Sequence, residues 1–238
     1  MTLAGSVAIV TGASRGIGRA VAAAFAREGV AVVLAARSGP DLDAAAQAIG
    51  AGGARVLAVP TDVTDETAVK ALVSRALAAH GRVDVLVTAA GTAAFGPLTD
   101  LETADWDRML AVNLRGAMLC CRAVLPPMMA QRRGTIVNIG SVVTSRVLTG
   151  SAAYTASKYA LLGFTRVLAE EMRPHGVRAG VLSAGATDTP LWDVIPSPPD
   201  RERMLRPEQV AEAALAMARL SPNATLEEVT LLPAGGVL

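Results

Sequence analysis

Three residues in the second half of the chain have types and a spacing that could move a proton: Ser141, Tyr154 and Lys158, with Asn113 upstream. They fall in SVVTSRVLTGSAAYTASKYALLGF, where the serine precedes the tyrosine by 154 − 141 = 13 positions and the lysine follows it by four. If the run after Gly150 is helical, positions i and i+4 share a face, so a phenol and an ammonium stand side by side. A free tyrosine titrates near about 10. A neighbouring cation favours the phenolate and is expected to bring that value down toward neutral pH, making Tyr154 a usable acid and base. Ser141, on a loop leaving a strand, could donate a hydrogen bond to the same substrate oxygen. Alone, the spacing is equally compatible with a surface helix carrying an ordinary tyrosine and a solvated lysine.

Positioning such a group takes a rigid frame, and the amino terminus supplies the start of one. From Ser6 the chain reads SVAIVTGASRGIGRAVAAAFAREGVAVVLAAR: an apolar β-branched run, a glycine-rich turn, an apolar-periodic helix and a second apolar run. Gly12, Gly16 and Gly18 stand where a tight turn, close backbone approach to a pyrophosphate and tight helix-on-strand packing exclude side chains. Apolar runs predict seven strands, near Val7 to Val10, Ala31 to Ala35, Arg55 to Val59, Val85 to Thr88, Thr135 to Ile139, Arg178 to Leu182 and Glu228 to Leu232. Alternating with helical patterns, they predict an α/β fold, a doubly wound parallel sheet buried on both faces. No internal repeat and no linker to a second domain is visible.

Composition narrows the function classes. A chain of 238 residues that is 52% hydrophobic and 18% charged fits one large α/β domain with a sizeable core. A net charge of +1, with no basic run beyond Arg132-Arg133, gives no electrostatic case for nucleic acid. The two cysteines, Cys120 and Cys121, are adjacent in a predicted helix, a poor geometry for a mutual disulfide and no metal spacing. A reducing cytoplasm is the expected location. The first residues, MTLAGSVAIVTG, lack a charged leader, and the apolar stretches look too interrupted to cross a bilayer.

Seven segments match in order a known pattern: TGASRGIG from Thr11, Asp62 in PTDVTD, AAG from Ala89, Asn113 in AVNLRG, Ser141, YTASK from Tyr154, and SAGATDT from Ser183. On these the chain resembles a single-domain short-chain dehydrogenase/reductase, from about Leu3 to the carboxyl end. The resemblance implies a Rossmann-type sheet and a catalytic tetrad of Asn113, Ser141, Tyr154 and Lys158. In that scheme Tyr154 exchanges the proton, Ser141 orients the carbonyl, Lys158 holds the nicotinamide ribose and lowers the tyrosine pKa, and Asn113 holds a water in a proton relay. It also implies a dinucleotide site of Gly12, Ser14, Arg15, Gly16, Ile17 and Gly18 in the turn, and Asp62 and Val63 at the adenine. Ala90, Gly91, Tyr154, Lys158, Gly185, Thr187 and Thr189 complete that site toward the nicotinamide. The segment Thr187 to Pro207, with Pro190, Pro196, Pro198, Pro199 and Pro207, corresponds to the family's substrate lid.

Cofactor choice follows from charge at the end of the second strand, where an acid would bind a free ribose 2′-hydroxyl and repel a 2′-phosphate. This chain has Ala36 followed by Arg37, with Arg15 in the glycine turn. Two guanidiniums favour a phosphate, so NADP(H) is expected over NAD(H), read mainly by Arg37.

Three segments depart from the family pattern: Thr88-Ala89-Ala90-Gly91 in place of Asn-Asn-Ala-Gly, Ala184-Gly185 in place of Pro-Gly, and a last strand without a preceding Thr-Gly. The first removes an amide that ties central strands together, and the last leaves the strand's place open. Helices predicted over Trp106 to Met129 and Ala152 to Met172 are apolar around most of their circumference, at Met118, Cys121, Leu125, Met128, Leu161, Phe164 and Leu168. That surplus points to self-association, as a homodimer or homotetramer. Substrate-pocket candidates are Ala93, Phe95, Val143, Leu148, Tyr154 and Trp192, with Ser141 at the carbonyl and Arg146 nearby. An apolar or aromatic ketone or secondary alcohol suits that lining. The reading is an NADP(H)-dependent carbonyl reductase or alcohol dehydrogenase without a metal. Its rivals are a 3-oxoacyl thioester reductase, with Arg146 receiving a carboxylate, and a non-catalytic NADP(H)-sensing protein.

Overall fold

The computed structural model describes residues 2–195, 198 and 200–236; Pro196 and Pro199 of the proline-rich segment lie outside the described residues. Seven parallel strands form one sheet: β1 Val7–Thr11, β2 Ala31–Ala36, β3 Val56–Pro60, β4 Val85–Thr88, β5 Gly134–Ile139, β6 Val177–Ala184 and β7 Glu228–Leu231. Their order is β3-β2-β1-β4-β5-β6-β7. The first two and the fourth and fifth are buried along their whole length, which is why they read as unbroken apolar or β-branched runs rather than alternating ones. This is the doubly wound, Rossmann-like sheet that the sequence predicts. The last strand takes its place beside β6, with Val181 opposite Glu228, although no Thr-Gly precedes it.

Helices cover both faces. On one side α1 (Gly16–Arg27), α2 (Gly39–Gly50) and α7 (Pro207–Arg219) pack a core that includes Val21, Phe25, Leu42 and Val210. On the other, α3 (Glu66–His80), α5 (Ala117–Ala130) and α6 (Ala152–Met172) enclose Leu72, Cys121, Met128 and Leu168. Ahead of α5, α4 (Thr103–Leu110) runs into a π-helical stretch, Ala111–Gly116, so the predicted single helix carries one widened turn around Asn113.

Two sequence expectations change here. Thr103–Ala130 as a whole is long and apolar enough to cross a bilayer by length and composition. Less than half of that stretch is buried inside the fold, including Leu119, Cys121, Val124 and Met128. The same burial absorbs much of the surplus assigned to self-association: Cys121, Met128, Leu161 and Leu168 are core residues. Met118, Leu125 and Phe164 are half-buried, while the exposed apolar groups on α6 are Tyr159 and Val167.

Candidate active site

Strand order reverses between β1 and β4, and in such sheets a crevice opens at the carboxyl ends of the strands. The sequence-predicted site residues sit along that edge. Gly12 follows β1, Arg37 follows β2, Asp62 lies two past β3, Ala90 and Gly91 come just after β4, Ser141 lies two past β5, and Gly185 follows β6.

At the end of β1 the chain turns through Gly12 and Gly16, at φ +66° and +55°, conformations that side chains disfavour. A Cβ on Gly12 would stand 2.8 Å from the Ala89 carbonyl, and one on Gly18 would run into the Gly12 carbonyl. Helix α1 then begins at Arg15 without a capping side chain and without an acid in its first turn. Its positive end is therefore left for an anion. Ser14 and Ile17 are half-buried, Ile17 against the core, and Arg15 is exposed. Thr189 reaches this turn from the far side of the sheet, its Cγ2 3.2 Å from where a Gly16 Cβ would be. Thr187 donates to the Gly185 carbonyl at 2.9 Å, closing the bend between β6 and Thr189.

Along the same edge Arg37 is exposed, and the next residue, Ser38, caps α2 by accepting from the Asp41 amide. Asp62 accepts from the Thr64 amide at 2.9 Å and the Thr64 hydroxyl at 2.8 Å, both on Oδ1. The amide bond, more than the nearby Arg37 charge, holds its carboxyl below the usual range. Val63 is buried and packs where a Gly116 side chain would otherwise be.

The candidate acid–base residues Ser141, Tyr154 and Lys158 converge from two elements, the turn after β5 and α6. Ser141 opens a single 3-10 turn after β5, its Oγ accepting from the Val143 amide at 3.4 Å, and it stands near enough to the Tyr154 hydroxyl to favour the phenolate. Lys158 lies one turn beyond Tyr154 on α6, its Nζ 5.7 Å from the centre of the tyrosine ring. That Nζ donates to the Ile139 carbonyl at 2.8 Å, so the end of β5 holds both the serine and the ammonium. Burial pushes the Lys158 ammonium down to about 8.

The tyrosine titrates opposite to the sequence expectation. Part of the Tyr154 surface is open, yet its hydroxyl is enclosed by protein, and this desolvation raises its pKa against the opposing influence of Ser141. Stripping water from the phenolate outweighs the neighbouring groups, so the phenol stays protonated at neutral pH.

Asn113, in the π turn, uses both of its amide hydrogens and accepts one bond at its oxygen. Nδ2 donates to the Thr92 carbonyl at 2.9 Å and to Ser157 Oγ at 3.0 Å, and Oδ1 accepts from the Thr92 amide at 2.8 Å. Ser157 in turn donates to the Tyr154 carbonyl at 2.7 Å. The sequence reading missed this buried serine, although it lies inside YTASK between the two residues it braces.

An aromatic tier rises beside Tyr154. Phe95 tilts against the tyrosine at 5.8 Å and 45°, and on its other side stacks with Trp192 at 6.2 Å and 12°. The Trp192 indole N–H donates to the Thr187 carbonyl at 2.9 Å. Ala93 and Val143 are buried, Leu148 is 38% exposed, and Arg146 is an exposed side chain bonded to the adjacent Ser145 carbonyl.

The short chain dehydrogenase family model matches residues 6–199. The chain belongs to the short-chain dehydrogenase/reductase family. It is 36% identical over 231 residues to an uncharacterized oxidoreductase of Staphylococcus haemolyticus, covering 97% of this chain and 98% of that one. A metagenomic short-chain oxidoreductase solved in complex with NADP is similar at 37% identity and a TM-score of 0.86, over 98% of this chain and 99% of that one. An alcohol dehydrogenase from the archaeon Thermococcus sibiricus, complexed with 5-hydroxy-NADP, is similar at 32% identity and a TM-score of 0.89, over 96% and 97%.

In this short-chain dehydrogenase/reductase the central strands next to Ala89 are joined by other hydrogen bonds. With Ala89 in place of an amide, β1 and β4 are tied beyond their ends by the Ala90 N–H on Thr11 Oγ1 at 3.2 Å. Thr88 Oγ1 donates to Asn138 Oδ1 at 2.6 Å, joining β4 to β5, and Asn138 Nδ2 continues to Thr165 on α6 at 2.8 Å. The glycine cradle, the bare helix start and the two exposed arginines fit a nicotinamide dinucleotide. A separate cavity of about 240 Å³ lies between α6 and the β6–β7 edge, lined by groups such as Thr165, Arg166, Ala179 and Glu228. None of its lining residues belongs to the Ser141, Tyr154 and Lys158 cluster.

Proposed function

We propose that the protein is an NADP(H)-dependent carbonyl reductase acting on apolar or aromatic ketones. The observation that carries this reading is Tyr154, beside Ser141 at the end of β5, one helical turn from a buried Lys158, with Phe95 against it and Trp192 stacked on Phe95. A bound reduced nicotinamide supplies hydride to the carbonyl carbon. Ser141 donates a hydrogen bond to the carbonyl oxygen and draws charge toward it. Tyr154, held protonated by burial, delivers its phenolic proton to that oxygen as the alcohol forms. The Lys158 ammonium, anchored on the Ile139 carbonyl, stabilises the phenolate left behind and is placed to hold the ribose. Asn113 positions the cluster through Thr92 and Ser157; with both side-chain amide hydrogens already used, a relay water is left to the widened backbone of the π turn.

Arg37, with Arg15 across the turn, gives the adenosine end two cations for a 2′-phosphate and no opposing acid on β2, which supports NADP(H) over NAD(H). Gly12, Ser14, Gly16, Ile17 and Gly18 cradle the pyrophosphate, Asp62 and Val63 border the adenine, and Ala90, Gly91, Gly185, Thr187 and Thr189 line the nicotinamide end. The protein works as a single domain and as a homo-oligomer, and the buried free thiols Cys120 and Cys121 suit a reducing cytoplasm. The test is Tyr154→Phe: turnover of an active ketone should vanish while NADPH binding, read by fluorescence titration, stays at the wild-type affinity. Unchanged turnover would reject the assignment.

A further inference from the structure

The segment after β6 carries two contacts of the site, Thr189 at the glycine turn and Trp192 on Phe95, yet little regular structure fixes it. Among the described residues its backbone is tied back by the bridge between Thr187 and Leu205, where the Asp188 amide donates to the Leu205 carbonyl at 2.8 Å and the Leu205 amide to the Ala186 carbonyl at 2.9 Å. Beyond that it holds a short 3-10 stretch, Pro190–Val194. One side chain spans the stretch from outside. Arg201 donates from Nη1 to Asp188 Oδ1 at 2.8 Å and from Nη2 to Asp193 Oδ1 at 2.5 Å, with Nη1 also 3.5 Å from the Thr189 carbonyl. The two carboxylates bracket Thr189 and Trp192 in sequence.

We propose that Arg201 is a positioning residue of the substrate site: by clasping Asp188 and Asp193 it sets the place of Trp192 on Phe95, and so the wall beside Tyr154. This rests on the reading of that crevice as the ketone site. The planar guanidinium fork reaches two acceptors from one rigid group, which a lysine ammonium cannot copy. Arg201 and its partners are partly exposed, at 37%, 46% and 59% for the arginine and the two aspartates, so salt should loosen the clasp. The proton-handling residues are bonded to β5 and α6 and not to the clasp, so loosening it should weaken substrate binding without altering the chemical step.

The two tryptophans are Trp106 and Trp192, so a Trp106→Phe background isolates the reporter. In it, Arg201→Ala should raise acrylamide quenching of Trp192 emission, and the KM of an active aromatic ketone, by about two- to fivefold, the population shift that exposed ion pairs command. The kcat should hold. Added NaCl should reproduce the quenching change in the parent and leave Arg201→Ala unmoved, whereas Arg201→Lys should recover only part of the protection. Asp193→Asn, which removes one arm, should give a smaller effect in the same direction and covers the case in which the alanine variant folds poorly. Unchanged quenching in Arg201→Ala and Asp193→Asn overturns the clasp, as does a fall in kcat at constant KM. A quenching change without turnover on any ketone supports the clasp and instead rejects the reductase reading.

Discussion

The glycine turn after β1 and the strap after β6 face one crevice from opposite sides and are held in place by different means. The turn is a backbone object: Gly12 sits against the Ala89 carbonyl, Gly18 against Gly12, and the strand leading in is wholly buried. The strap depends more on side chains: besides one backbone bridge it is held by the Trp192 indole on the Thr187 carbonyl, the Thr187 hydroxyl on the Gly185 carbonyl, an aromatic stack and a partly exposed ion-paired arginine. A cradle built from close-packed backbone has little freedom to adjust, whereas a wall built from exposed side chains can be retuned by one substitution. On the proposed reading, cofactor binding rests on the rigid turn and substrate choice on the strap.

Breaking the rigid side should produce the largest change. Gly18→Ala forces a methyl into the Gly12 carbonyl, which neither strand nor helix can yield to, and should cost about 1–3 kcal/mol of stability by thermal melting. It should also abolish detectable NADPH binding; a variant that binds normally would show the turn to be softer than its contacts imply. Arg37→Ala, on the exposed rim of the same half, should leave the melting temperature near wild type while shrinking the preference for NADPH over NADH by about 1–3 kcal/mol. An unchanged ratio in parallel cofactor titrations would remove Arg37 as the phosphate reader.

The adjustable side should respond more gently and selectively. Trp192→Leu deletes one member of the stack and should raise KM for aromatic ketones by about two- to tenfold, the range of an aromatic pair, with small aliphatic ketones much less affected. Equal changes for both classes would argue that Trp192 does not touch the substrate. The pH profile carries the smallest effect near neutrality. Reduction needs the phenol protonated and the ammonium charged. Since burial raises Tyr154 and lowers Lys158 to about 8, kcat/KM for reduction should be level below about 8 and decline above it. Alcohol oxidation needs the phenolate and should rise with pH, so a reduction rate that also climbs with pH would contradict these protonation states.

The contrast between turn and strap also explains what could be read from the sequence. Strands and the glycine turn were legible because local spacing encodes them: Gly12 and Gly16 take positive φ in the turn, and Gly18 abuts the Gly12 carbonyl six residues back. Tyr154 and Lys158 were legible for the same reason, one helical turn apart on α6. The direction of the tyrosine shift was not, because it depends on how deeply the hydroxyl is enclosed, which spacing does not state. Ser157 carries no charge and no unusual spacing, so its bond to Asn113 from another helix stayed hidden. The stack of Phe95 on Trp192 joins loops after β4 and β6, and the grip of Arg201 on Asp188 and Asp193 depends on a chain reversal that no periodicity announces.

The most direct test of the account is NADPH oxidation, with NADH in parallel, by the wild-type protein and Tyr154→Phe across a panel of aromatic, cyclic and 3-oxo ester ketones. The account predicts wild-type turnover with NADPH on aromatic or cyclic members, weaker turnover with NADH, and loss of about 100-fold or more in the variant, the scale of general acid catalysis. Wild-type protein that binds NADPH but turns over none of the ketones, or a variant as fast as wild type, would contradict it.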